Sequence, residues 1–414
     1  MLKKSVSSKT PRNLLFLFEL LSLMLIFLYQ WDSVDNSTYI TGFGLVIAVY
    51  LSNILLMKIS NGDHYILLIS TMLISIGAIM IYRIDSQLGL RQLIWIVIGI
   101  SIFFATYLIF KIIKKWHKLA LLYVGTAYFL FAITFIFGER IYGAINWIAV
   151  AGVSLQPAEI TKILVIFIVA SYYGNIDKFK DKSKYSSLIL MAIMYSFVGL
   201  LFIQRDLGAS LIFYGIFLGL QFIYEPNRKL ILLNIGLFSI SGILGYILFN
   251  HVQVRFQSWI DPWTYIDTQG YQITQSLFAM AEGGFFGTGL GLGNPEFIPL
   301  AYTDFIFPAI IEEMGVFTGI GIIMLFMIMV YRGFKIALGQ RIKFYRIMAL
   351  GISILFAIQS IIILGGVMKV IPLTGITLPF VSYGGSSIIS SFIALGILQV
   401  ASEEIKFEEE NNDQ

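Results

Sequence analysis

The chain has 414 residues, 58% of them hydrophobic and only 13% charged, against about 25% charged in an ordinary soluble domain. The absence of cysteine excludes disulfides, thiolate catalysis and cysteine-ligated metals, and His64, His117 and His251 lack ligand-like spacing. The net charge of +4 is spread along the chain rather than gathered into a face for nucleic acid.

The basic start MLKKSVSSKTPR leads into a full-length apolar run with no small-residue cleavage site, which predicts a retained first span. Apolar runs long enough to cross a bilayer then recur to the end of the chain. They predict an all-α polytopic membrane protein of about twelve transmembrane helices. These lie near 13–31, 37–57, 65–83, 91–112, 118–137, 158–174, 187–204, 207–224, 230–250, 306–331, 346–367 and 385–402. Lys and Arg collect in every second loop, at the N-terminus, Lys58, KIIKKWHK, DKFKDKSK, NRK and RGFKIALGQRIKFYR. The positive-inside rule therefore puts both termini in the cytoplasm.

The same alternation places three unusual stretches outside: GERIYGAINWIAVAGVSLQPAE, the segment from His251 to about Asp304, and KVIPLTGITLPFVSYGGSS. They are too aromatic, Gly-rich and apolar for disorder, so they are expected to fold onto the outer face. In the longest, Asp261-Pro262 signals a turn, and GYQITQSLFAMAEGG has the spacing of a helix lying in the interface. GGFFGTGLGLGNP reads first as a tight re-entrant turn and second as an anion nest; no Lys-Ser/Thr follows it, so it is not a phosphate-binding P-loop.

Charges inside or against apolar runs mark positions that need a reason. Asp304 stands just before a span, where it either caps the helix or presents a half-desolvated carboxylate able to act as a general base. Glu312 and Glu313 lie two turns deeper and point about 100° apart. Their candidate cations are Arg205, Lys162 and Lys369, forming either buried salt bridges or an outward-opening polar cavity. Glu159 and Lys162 have ion-pair spacing on one helix face. Arg205-Asp206 breaks two apolar runs on the outer side and reads most simply as a hairpin.

Taken in order from about residue 65 to 402, these stretches resemble one family. GAINWI and LQPAEITK look like G-A-x-x-W-I and Q-P-S-E-x-x-K, and QRDLG looks like Q-P-D-L-G. DPWTYIDTQGYQITQSLFAMAEGGFFGTGLG, TDFIF with EEMG, and LPFVSYGGSS complete the pattern. The chain is thereby identified as a member of the SEDS (shape, elongation, division and sporulation) family, of the FtsW and RodA type. The resemblance divides the chain into two extra N-terminal helices (1–64), a ten-helix core (65–402) and an acidic cytoplasmic tail (403–414).

What the resemblance implies is a peptidoglycan glycosyltransferase of the bacterial plasma membrane with an extracytoplasmic active site, serving division, elongation or sporulation. It would polymerise lipid II, the undecaprenyl-pyrophosphate disaccharide-pentapeptide, with inversion, beside a class B penicillin-binding protein transpeptidase. Asp304 takes the catalytic position, and Arg255, Lys369 and Arg205 are candidates for the departing pyrophosphate. Trp147, Gln156, Glu159, Lys162, Asp206, Gln272, Gln275, Glu312, Ser382, Tyr383 and Ser386 complete the implied substrate-binding set. No cofactor is required, and a divalent cation (magnesium or manganese) is left open. Arg205 stands where the family usually has Pro, Ala158 where it has Ser, and Ile363 where it often has Asn. The rival readings are a lipid-precursor flippase or transporter, which the lack of an internal repeat disfavours, and a non-catalytic scaffold.

Overall fold

The computed structural model describes residues 9–29, 36–113, 115–141, 144–150 and 153–403. Helices α1 (Lys9–Tyr29), α2 (Asn36–Ile59), α3 (Tyr65–Ile84), α4 (Ser86–Ile112) and α5 (Ala120–Phe137) are followed by strands β1 (Glu139–Ile141), β2 (Ala144–Val150) and β3 (Val153–Leu155). Then come α6 (Pro157–Gly174), α7 (Ile176–Lys182), α8 (Ser186–Ile203), α9 (Leu207–Tyr224), α10 (Arg228–Leu248), α11 (Asn250–Ile260) and α12 (Tyr271–Gly283). The chain closes with α13 (Ile306–Gly339), α14 (Lys343–Val367) and α15 (Gly385–Ala401).

The long apolar runs become helices because a segment in hydrocarbon must satisfy its backbone hydrogen bonds internally. Polar residues at the breaks close the first turns. Asp85 accepts from the amides of Gln87 and Leu88, and Asp206 from that of Ala209. A helix stands at each of the twelve expected spans. Among the described residues, ten are long and apolar enough to cross a membrane, and α15 is a shorter apolar helix. The count of twelve spans is thus ten by this measure, with α1 and α15 making up the difference.

α3 is buried along nearly its whole length at the centre of the bundle, whereas α10 is largely exposed at its edge. The two helices ahead of the core pack on α3 and α4. Glu19 and Ser75 meet at 2.5 Å, Asn53 Nδ2 donates to Thr71 Oγ1 at 3.1 Å, and Gly44 lies against Leu93.

Two features depart from a plain helical bundle. The stretch after α5 forms a three-stranded antiparallel sheet in the order β1-β2-β3, which an all-α expectation does not contain. Its β-branched and aromatic residues, Ile145, Trp147, Ile148 and Val150, favour a strand although they do not alternate with polar ones. The second feature is a break in α13 at Gly315 (φ 81°, ψ 167°). The Gly-rich segment fills that break and replaces the lost helical hydrogen bonds. The amides of Thr288 and Gly289 donate to the carbonyls of Glu312 and Glu313 at 2.8 and 3.1 Å, and Val316 and Phe317 donate to Gly284 and Phe285 at 2.9 and 3.3 Å. A Cβ at Gly287 would lie 2.2 Å from the Glu313 carbonyl oxygen, so only glycine permits this approach. The re-entrant turn is therefore a splice into a discontinuous helix.

The splice also decides where Glu312 and Glu313 go. Both are buried, but neither meets Arg205, Lys162 or Lys369. Glu313 pairs with Arg83 at 3.1 Å and accepts from the Gly291 amide at 2.9 Å, while Glu312 accepts from the Asn294 amide at 2.6 Å. The expected cations are corrected to Arg83, which sits at the C-terminal end of α3 and also donates to the carbonyls of Gly291 and Gly293.

Candidate functional site

Below these loops, at the end of the bundle where α4, α6, α9, α13 and α15 begin, lies a cavity of about 750 Å³. Three of these helices, α6, α13 and α15, start at its wall without a side chain capping the first turn. Their free amides and aligned dipoles make this wall attractive to negative charge. The lining also includes the apolar residues Ile94, Ala209, Ile212, Phe213 and Ile376.

Three carboxylates line the cavity: Glu159, Asp206 and Asp304. Glu159 is ion-paired with Lys162 at 2.7 Å and accepts from Ser390 Oγ at 2.5 Å, and Lys162 also donates to Gln359 Oε1 at 3.0 Å. The expected ion pair on one face of α6 is formed. Asp206 accepts from Asn146 Nδ2 at 2.8 Å, Gln156 Nε2 at 2.9 Å and the Ala209 amide at 2.9 Å. It ties the sheet, the start of α6 and the start of α9 together, which goes beyond the simple hairpin read at Arg205-Asp206.

Asp304 is different. The residue at the head of α13 is Phe305, and no side chain caps that helix, so the capping alternative for Asp304 falls. Among the described residues no hydrogen-bond donor reaches its carboxylate. Burial pushes its pKa up to about 7, and the nearby Arg255 guanidinium offsets only part of that rise. Arg255 is held by its Nη1 on the Thr374 carbonyl at 2.9 Å. Gly375, at φ 73°, leaves room for both groups: a Cβ there would stand 3.5 Å from Asp304 Oδ2 and 3.7 Å from Arg255 Nη2.

The remaining residues divide by position. Trp147, Gln156, Glu159, Lys162, Asp206 and Tyr383 line the cavity with Asp304. Ser382 and Ser386 stand behind its wall, where Ser386 Oγ accepts from the Gln156 amide at 3.0 Å and Ser382 Oγ donates to the Thr303 carbonyl at 2.7 Å. Arg255 approaches from the side, while Arg205, Lys369, Gln272, Gln275 and Glu312 lie outside the lining. Arg205 is exposed at φ 64°, a conformation closed to proline, which accounts locally for the absence of the usual Pro in this turn. Arg91 and Trp95 were missed: both line the cavity, one turn apart at the start of α4. The available signal was an Arg and a Trp four apart near the start of a span. Among the described residues no three His, Asp or Glu side chains converge to hold a metal ion.

Fold and site together define a polytopic helical membrane protein with a carboxylate-bearing cavity at one end of its bundle. The sequence model of the FtsW/RodA/SpoVE family, described as cell cycle protein, matches residues 63–406, and the chain belongs to that family. It is 36% identical over 363 residues to the peptidoglycan glycosyltransferase RodA of Mycobacterium tuberculosis, covering 81% of this chain and 77% of the relative. It is 33% identical over 358 residues to stage V sporulation protein E of Bacillus subtilis, covering 82% and 97%. In fold it is similar to a chain of a peptidoglycan synthase complex solved to explain the coordination of polymerization and crosslinking (TM-score 0.68, 22% identity, 82% of this chain and 97% of that one). It is also similar to the rod shape determining protein RodA of Thermus thermophilus (TM-score 0.60, 21% identity, 83% and 97%).

Proposed function

We propose that this chain is a peptidoglycan glycosyltransferase that polymerises lipid II, with Asp304 as the general base. The observation that carries the assignment is the contrast within the cavity: Glu159 is ion-paired and Asp206 is held by three donors, whereas among the described residues no donor reaches Asp304. The names of its curated relatives support the reaction class.

The chemistry is an inverting displacement. The acceptor's 4-hydroxyl oxygen forms a bond to C1 of the donor sugar, the bond from C1 to the phosphate oxygen breaks, and the lipid pyrophosphate leaves. Asp304 takes the proton from the attacking hydroxyl. Arg255 and the uncapped helix starts stabilise the charge that grows on the leaving group. The apolar lining residues Ile212, Phe213 and Ile376 accommodate the first part of a polyprenyl tail.

In this reading the cavity opens outward from a bacterial plasma membrane, the termini lie in the cytoplasm, and the working partner is a class B penicillin-binding protein transpeptidase. The fold's likeness to a chain from a peptidoglycan synthase complex supports the pairing. Purified protein supplied with labelled lipid II should produce glycan chains, and Asp304→Asn should not. Wild-type rates in folded Asp304→Asn, or lipid II crossing vesicle membranes with no polymer formed, would overturn the assignment. Because the chain has no cysteine, orientation is directly measurable. An impermeant maleimide added to intact cells should label Ser154→Cys and leave Asn61→Cys unlabelled.

A further inference from the structure

No side chain hydrogen-bonds to the Asp304 carboxylate among the described residues, so its aim into the cavity is set through the backbone. The Thr303 carbonyl and the Asp304 amide form one planar unit, and whatever holds that oxygen sets the plane from which the Asp304 side chain departs. Buried Ser382 holds it: its Oγ donates to the Thr303 carbonyl at 2.7 Å and accepts from the Leu378 amide at 2.9 Å. The next residue repeats the contact, with the Tyr383 amide donating to the Tyr302 carbonyl at 2.8 Å. Two successive carbonyls of the Asp304 turn are therefore gripped by two successive residues of the SYGGSS segment.

The grip is itself braced from the bundle. Gln92 Nε2 of α4 donates to the Ser382 carbonyl at 3.2 Å. Gly77 of α3 approaches Val381 so closely that a Cβ would lie 2.2 Å from the Val381 carbonyl oxygen. Phe380 is held at φ 66°, a conformation a bulky residue keeps only when its surroundings impose it. The Ser382 hydroxyl donates its one proton to Thr303, and Ser382 lies outside the cavity lining.

We propose that Ser382 is a positioning residue for glycosyl transfer, holding the Thr303–Asp304 peptide so that the carboxylate meets the acceptor hydroxyl. This rests on Asp304 being the base. The test measures lipid II polymerisation against pH for the full-length wild type, Ser382→Ala, Ser382→Thr and Asp304→Asn. Binding of fluorescent lipid II is followed alongside. Ser382→Ala should lose on the order of 10 to 100-fold in kcat, the scale of a small misplacement of a reacting group. Its KM and lipid II affinity should stay within about twofold, and the rising limb of its pH profile should move. Ser382→Thr, which keeps the hydroxyl, should recover most of the loss. A folded Ser382→Ala with wild-type kcat and pH limb overturns the proposal, as does weakened lipid II binding at unchanged kcat.

If Ser382→Ala does not fold, Gln92→Leu carries the test by loosening the same segment. A smaller kcat loss at constant KM with a shifted limb supports the proposal, and wild-type behaviour overturns it. An active Asp304→Asn defeats the general-base reading itself. An inactive Asp304→Asn beside a wild-type-like Ser382→Ala defeats only the positioning role.

Discussion

Asp304 and Glu403 stand at opposite ends of α13, and their surroundings treat them in opposite ways. Glu403 lies beyond the bundle's other face, where Gln340, the residue just after α13, donates to its carbonyl at 3.4 Å. Its Oε1 accepts from Ser60 Oγ and Tyr107 OH, each at 2.6 Å, and from the Asn61 amide at 3.1 Å, while Oε2 pairs with Lys111 at 3.0 Å. Burial alone would raise the Glu403 pKa, but these donors hold it below the ordinary glutamate range. Asp304 has the burial without the donors, and its pKa rises to about 7. The paired acid is a structural clamp, and the unpaired one is left with an affinity for protons that chemistry can use.

The strongest way to break this comparison is to replace each acid by its amide. Asp304→Asn should reduce glycan formation by roughly 10² to 10⁴-fold, the usual range for a lost general base, as read by gel analysis of labelled lipid II products. The same variant should melt higher than wild type at pH 8. A carboxylate whose folded pKa is raised stabilises the fold at low pH, and that contribution is lost as pH rises through about 7. The amide should remove this penalty, and an unchanged or lower melting temperature at pH 8 would contradict the stated cause.

Next in size is the pH dependence of turnover. With Asp304 required as the anion, kcat/KM should climb about tenfold per pH unit on the acid side and level off above about 7. A plateau extending down to pH 5 would assign the base elsewhere. Arg255→Gln should sharpen the picture, because this guanidinium is what holds the Asp304 pKa down. The midpoint should move to higher pH and the plateau rate should fall, whereas an unmoved midpoint would separate the two groups.

The smallest effect belongs to the clamp. Glu403→Gln should keep most of the activity and lose on the order of 1 kcal/mol of stability near neutral pH. Here the sign reverses: a depressed folded pKa stabilises above the unfolded pKa, and this is lost as pH falls through the folded value. Glu403→Gln should therefore melt below wild type from pH 7 down to the ordinary glutamate range, and the two should converge only as pH falls below it.

Much of this was legible in the residues. The spans followed from run length, the Glu159–Lys162 pair from a spacing of three on a helix, and the choice of Asp304 as candidate from TDFIF and its family resemblance. The partner of Glu313 was not legible, because Arg83 lies far away in the chain and meets it only through the Gly-rich splice. The sheet at 139–155 was hidden inside an apolar loop too short to show a clear period. Arg91 and Trp95 were hidden by standing inside a run that otherwise reads as an ordinary membrane helix.

The sequence by itself determined the solvent of this protein, the approximate course of its helices and the acid to suspect, because hydrophobic run length and local motifs are properties of neighbouring residues. Only the tertiary structure decided which acids are silenced and which is left free, since that depends on donors brought from Ser60, Asn146, Gln156 and Ser390 across the bundle. A carboxylate's chemistry is set by what surrounds it in space, and for Asp304 that surrounding is assembled from segments up to some two hundred residues distant, such as the α4 residue Gln92 that braces Ser382.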